Sequence, residues 1–207
     1  MEQNYNQQIA YIIRNNLYLN ITNKCNCSCV FCVSKYQSSM AGVKLHFKNK
    51  EPDNKEIISV LSEHNLNNYN EIVFCGFGEP LLRLETVYSI TKYIKNQVGS
   101  AVIRINTNGL ADLINNKDSL EMLRAYIDGV SISLNAHNPE TYSKYTRPAY
   151  ESKLAYNTVL NSIKRAVELG LDTRATVVYG HELDKIDINQ CQQIAEKLGA
   201  SFKIRYF

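Results

Sequence analysis

The sequence predicts an α/β protein: an open partial (β/α)6 TIM-type barrel around a parallel six-stranded sheet. Three observations carry this expectation. Short strand-like runs alternate along the 207 residues with amphipathic segments of helical period, and such alternation means right-handed crossovers and parallel strands. Six units rather than eight leave a barrel open. The polar motifs fall just after the strands, at the rim where such folds carry their chemistry.

Leu17 to Ile21 reads as the first buried strand, and a long loop leaves it through Gly42 to Lys50. Pro52-Asp53 opens a helix with Asp53 as N-cap, Glu56 in capping-box register and Ile57, Val60 and Leu61 on one face. Strand two is Glu71 to Cys75. Val87, Ile90, Ile94 and Val98 mark the next helix, with Gly99 placed to end it. Ala101 to Asn106 is strand three, followed by a short helix from Asn116 through Tyr126. Gly129 to Leu134 is strand four, and Asn138-Pro139 caps the helical stretch behind it. Tyr156, Val159, Leu160, Ile163, Ala166 and Val167 line a helix stopped by Gly170. Asp172 to Tyr179, a helix from Ile188 to Leu198 ended by Gly199, and a sixth strand from Phe202 to Phe207 complete the chain.

Residues 1–207 read as a single domain with room for a full core, and 1–16 as a polar leader. Apolar residues make up 44% and charged residues 21%, which excludes disorder. No apolar run approaches the ~20 residues of a membrane span, so no membrane partner and a cytoplasmic location are expected. Six cysteines there are thiols and metal ligands rather than disulfides. A net charge of +3 is too small to argue for nucleic acid.

Cys25-Asn26-Cys27-Ser28-Cys29-Val30-Phe31-Cys32 places four thiols in eight residues just after a strand. Soft donors this dense call for an iron-sulfur cluster or zinc. A closed zinc site would usually show two paired C-x-x-C units, and only one is present. Cys25, Cys29 and Cys32 have the spacing C-x3-C-x2-C, and three ligands on a four-iron cube leave one iron open.

That spacing, with Phe31 before the third cysteine, resembles the radical S-adenosylmethionine (SAM) superfamily. Asn16 to Asn23, Cys75 to Arg83, Asn106-Thr107-Asn108-Gly109 and Ser131 to Ala136 resemble, within it, the TatD-family-associated radical SAM proteins. The resemblance implies a [4Fe-4S] cluster on Cys25, Cys29 and Cys32, with Cys27 a non-ligand. It further implies S-adenosyl-L-methionine bound near Phe31, Gly76, Gly78, Glu79, Thr107, Asn108, Ser133 and Asn135. Phe77 stands where the family's glycine pair would begin. The implied function is reductive cleavage of S-adenosylmethionine to a 5′-deoxyadenosyl radical that abstracts hydrogen from an unidentified substrate. Implied partners are a flavodoxin- or ferredoxin-type electron donor and a TatD-type hydrolase. Two alternatives stand beside it: an activating enzyme that places a glycyl radical on a partner protein, and a non-catalytic iron-sulfur binding or electron-transfer protein. Arg104 and Arg174 sit in strands, where they either face solvent or, turned inward, need an anionic partner such as a cofactor or substrate carboxylate. His46, His137 and His181 are candidates for substrate contact, and Cys75 and Cys191 for the core.

Overall fold

The computed structural model describes residues 8–180 and 183–206, so His181 and Phe207 lie outside the described residues. The chain divides into two compact units, the first comprising the described residues to Cys25, Val33–Ile105 and Met122–Asp128. The second comprises Asn26–Cys32, Asn106–Glu121 and the described residues from Gly129 onward.

The first unit begins with a strand inside the expected polar leader. β1 (Ala10–Ile13) pairs antiparallel with β2 (Asn16–Leu19), in the register Ala10↔Leu19 and Ile13↔Asn16. The two intervening residues turn through Arg14 at φ 55. The reason is local: Ile9-Ala10-Tyr11-Ile12-Ile13 is an apolar run that buries Ile9, Ala10 and Tyr11, and the polar residues before it masked that pattern. β2 then pairs parallel with β5 (Glu71–Phe74), and β5 with β6 (Ile103–Thr107), whose last two residues belong to the second unit. Between β2 and β5 lie α1 (Val33–Tyr36), a small hairpin of β3 (Ser39–Met40) and β4 (Val43–Lys44), and α2 (Asn54–Ser62). The capping box forms as expected: Asp53 accepts from Glu56 N at 2.9 Å and Glu56 accepts from Asp53 N at 2.8 Å. α3 (Leu84–Gln97) buries Val87, Ile90 and Ile94.

The second unit carries α4 (Ala111–Asn115) and the start of α5 (Ser119–Leu123), whose last two residues belong to the first unit, where one short helix was expected. Asn116 sits in the left-handed region at φ 50 and ends α4 instead of starting a helix. β7 (Gly129–Ser133) leads to α6 (Pro139–Thr146), capped by Asn138 Oδ1 accepting from Thr141 N at 2.8 Å. α7 (Ser152–Glu168) is followed by Gly170 at φ +74, β8 (Asp172–Tyr179), α8 (Ile188–Lys197) and β9 (Ser201–Tyr206). β8 pairs parallel with both β7 and β9.

Among the described residues, the strands outside the small hairpin therefore number seven rather than six, and β1 pairs antiparallel with β2. No helix among the described residues is long and apolar enough to cross a membrane.

Candidate functional site

In the first unit, the chain running from β2 to Cys25 is held by its own side chains. Asn20, fully buried, donates through Nδ2 to the carbonyls of Leu45 at 2.7 Å and Gln8 at 3.0 Å. Glu51 Oε1 accepts from Thr22 Oγ1 at 2.6 Å and from Asn23 N at 3.0 Å. Asn23 and Phe47 exchange two bonds, Nδ2 to O at 2.8 Å and N to Oδ1 at 3.2 Å. Leu45 and Phe47 are buried while Lys44, His46 and Lys48 between and beside them are exposed, the alternation of an extended strap. An open cleft of about 320 Å³ lies here, lined by Asn23, Lys24, Phe47, Asn49, Lys50 and Glu51.

Gly76 and Gly78 pack backbone against this same segment. A Cβ on Gly76 would stand 1.9 Å from Asn20 Oδ1, and one on Gly78 would stand 2.5 Å from the carbonyl oxygens of both Thr22 and Lys24. Only glycine fits either place. Glu79 N donates to Lys24 O at 2.8 Å, and its buried carboxylate accepts from Leu81 N at 3.1 Å, capping the 3-10 turn Pro80–Arg83. Arg83 Nη1 reaches back to Ile21 O at 2.6 Å and Pro52 O at 2.8 Å. Phe77, the departure from the glycine pair, is buried with Tyr11 and Leu45. Burial pushes the Tyr11 phenol far above its usual range, so its hydroxyl stays protonated and donates to Cys75 O at 3.1 Å.

In the second unit, Asn26–Val30 lies alongside residues 145–149. Ser28 N donates to Thr146 O at 3.1 Å and Arg147 O at 3.0 Å, Val30 N to Tyr145 O at 2.8 Å, and Ala149 N to Asn26 O at 2.9 Å. Cys27 and Pro148 form an isolated antiparallel bridge. Cys32 N donates to Cys29 O at 3.2 Å, closing the C-x-x-C pair into a turn. None of the described cysteines is in a disulfide; Cys25 is exposed, and Cys27, Cys29 and Cys32 are half-buried. No three His, Cys, Asp or Glu side chains among the described residues stand ready as a metal cage.

Asn108 is a partner of that loop, and Thr107 braces the turn that carries it. Thr107 Oγ1 accepts from Gly109 N at 3.1 Å, and Asn108 Oδ1 from Leu110 N at 3.0 Å, while Asn108 Nδ2 donates to Asn26 Oδ1 at 2.6 Å. Ser133 ends β7 half-buried opposite Thr176. Asn135, buried at φ 57, accepts from Val178 N at 3.2 Å through Oδ1. His137 Nδ1 lies 3.1 Å from Asp187 N. Phe31 is buried in the same unit.

Arg104 is spoken for by protein. It is buried, and its Nε donates to Glu71 Oε1 at 3.0 Å, so its anionic partner is a carboxylate at the start of β5. Burial pushes the Cys191 thiol up to about 12, as befits a core residue. Asn20, Thr22, Asn23 and Arg83 fall inside the sequence motifs and Glu51 outside them, but their work as pins was not legible because each partner is distant along the chain. The buried asparagine at the end of a strand was the available signal.

The Radical SAM superfamily model matches residues 19–190. A probable GTP 3′,8-cyclase of Methanothermobacter thermautotrophicus is 31% identical over 156 residues, 75% of this chain and 45% of the relative. The dual-specificity RNA methyltransferase RlmN of Buchnera aphidicola subsp. Schizaphis graminum is 27% identical over 191 residues, 86% of this chain and 48% of that protein. Streptococcus suis SuiB bound to S-adenosylmethionine shares the fold at a TM-score of 0.69 and 17% identity, over 93% of this chain and 40% of SuiB. The chain spans less than half the length of these relatives.

Proposed function

The chain belongs to the radical SAM superfamily, and from that premise we propose that it reductively cleaves S-adenosylmethionine at a [4Fe-4S] cluster and abstracts hydrogen from a substrate. The observation that carries this reading is C-x3-C-x2-C inside the matched stretch. The donor chemistry fits: three thiols outside any disulfide, one exposed and two partly buried, on a loop of eight residues. That they form no ready cage accords with sites whose ligand bonds supply the last ordering.

Cys25, Cys29 and Cys32 would hold the cluster. When bound, the cluster and S-adenosylmethionine supply one-electron chemistry and the radical. The protein supplies shape and polar contacts. Gly76 and Gly78 bring the turn after β5 onto the strand that leads to Cys25, and Glu79 offers a carboxylate for the methionine ammonium. Phe31 gives the adenine an apolar face. Thr107, Ser133 and Asn135 offer hydroxyl and amide groups, which bind ribose or carboxylate without adding charge, whereas both ends of the Asn108 amide are spent on Leu110 N and the cysteine loop.

The finer placement is part of the proposal: an open partial (β/α)6-type barrel fold class, TatD-family-associated, cytoplasmic, fed by a flavodoxin- or ferredoxin-type donor. Several relatives are named GTP 3′,8-cyclase, which makes GTP the first substrate to offer. Anaerobically reconstituted protein, given S-adenosylmethionine and dithionite, should yield 5′-deoxyadenosine. A cluster spectrum without that product would sink the enzyme reading and leave a passive iron-sulfur carrier. Glycyl-radical formation on a partner protein would identify an activating enzyme.

A further inference from the structure

Four thiols within eight residues pose a problem for a cluster that must keep one iron open, because a fourth cysteine can close it. Cys27 is that fourth thiol, and the second unit restrains it. We propose that Asn108 is a positioning residue that holds Cys27 away from cluster ligation and so preserves the open iron. The inference rests on the ligand assignment proposed above.

The backbone on both sides of Cys27 is tied: Asn26 O accepts from Ala149 N, and Ser28 N donates to Thr146 O and Arg147 O. Cys27 itself bridges to Pro148. Its sulfur can therefore move mainly by rotating about χ1. Asn108 opposes that rotation, since its Nδ2 lies 3.7 Å from Cys27 Sγ, within reach of a weak N–H···S bond, while donating to Asn26 Oδ1 at 2.6 Å. The direction of the amide is set by the turn. Asn108 Oδ1 accepts from Leu110 N at 3.0 Å and Thr107 Oγ1 from Gly109 N at 3.1 Å, so the NH2 end must face the cysteine loop. Cys29 and Cys32 are instead kept together by their short turn, in which Cys32 N donates to Cys29 O at 3.2 Å. An asparagine suits this work because its two ends face opposite ways, one locked to its own turn and the other on the loop.

The test compares wild type, Cys27→Ala, Asn108→Ala and the double variant after anaerobic reconstitution. Iron and sulfide content, the change in the reduced-cluster EPR signal on adding S-adenosylmethionine, and alkylation of Cys27 by iodoacetamide are read in each. Wild type and Cys27→Ala should respond to S-adenosylmethionine alike, with Cys27 alkylated in the wild type. Asn108→Ala should keep its iron, protect Cys27 from alkylation and bind S-adenosylmethionine about tenfold more weakly, the scale of a lost hydrogen-bond pair. Removing Cys27 from that variant should restore the response. A purely structural or cofactor-contacting role for Asn108 predicts no such rescue, so an Asn108→Ala variant that responds normally, or a double variant that does not recover, overturns the proposal. A wild type that takes up no iron overturns the function proposed above as well.

Discussion

Gly78→Ala should destabilise the protein before any cofactor is involved. The added Cβ would stand 2.5 Å from two backbone oxygens, Thr22 O and Lys24 O, and 2.9 Å from the Asn23 carbonyl carbon. Real Cβ contacts do not come that close, and none of these atoms belongs to a side chain that can swing aside. The turn must move, and it carries the 2.8 Å bond from Glu79 N to Lys24 O with it. Overpacking of this kind costs about 1–3 kcal/mol, and the lost bond about 1 kcal/mol more. With a urea dependence near 2 kcal/mol per molar, a loss of about 3 kcal/mol lowers the unfolding midpoint by roughly 1.5 M. Urea titration of the iron-free protein, followed by far-UV circular dichroism, measures this. A midpoint within about 0.3 M of wild type would show that the turn yields freely, and that this glycine is needed only for the cofactor.

Three further outcomes follow from the same structure. Arg104→Met should cost about 2–4 kcal/mol in the same urea titration, because it strips a buried partner from Glu71; an unchanged midpoint would leave the pair without structural weight. Glu79→Gln keeps an oxygen for Leu81 N and should hold stability within about 0.5 kcal/mol, whereas Glu79→Ala loses about 1 kcal/mol; both should weaken S-adenosylmethionine binding in calorimetry and keep the cluster. Cys191 has its folded pKa raised from 9.0 to about 12 by burial, so the folded state holds this proton more tightly than the unfolded chain. The associated stability is complete below pH 9 and falls as pH rises, on the order of 1 kcal/mol per unit. Wild type should lose more stability than Cys191→Ala between about pH 9 and 10, before unfolded tyrosines titrate; parallel curves would refute it.

The parts of this fold written in local chemistry were legible. The Asp53–Glu56 box, the Asn138-Pro139 cap and the glycine stop at Gly170 formed where the sequence placed them, because each depends on residues within a turn of one another. β1 was not, since its hairpin signal follows a polar run that reads as a leader. Asn116 was misplaced for a related reason: asparagine both starts and ends helices, and only the backbone angle tells which. In the candidate site, the motif positions were legible as positions but their present bonds were not. Thr107, Asn108 and Asn135 spend hydrogen bonds on holding turns and strand ends, and Arg104 spends its charge on Glu71. Pairings across tens of residues leave no periodic trace in a single sequence.

The strap formed by Leu45, Phe47 and Glu51 is fastened to the β2 exit at Asn20, Thr22 and Asn23 by side chains rather than by a sheet ladder. Such fastenings release as a set, because freeing one asparagine leaves a buried amide without water or protein to satisfy it. The amide protons of Asn23 and Phe47, 24 residues apart, should therefore exchange with deuterium at a common rate, making this stretch one cooperative opening unit in place of an independently waving loop.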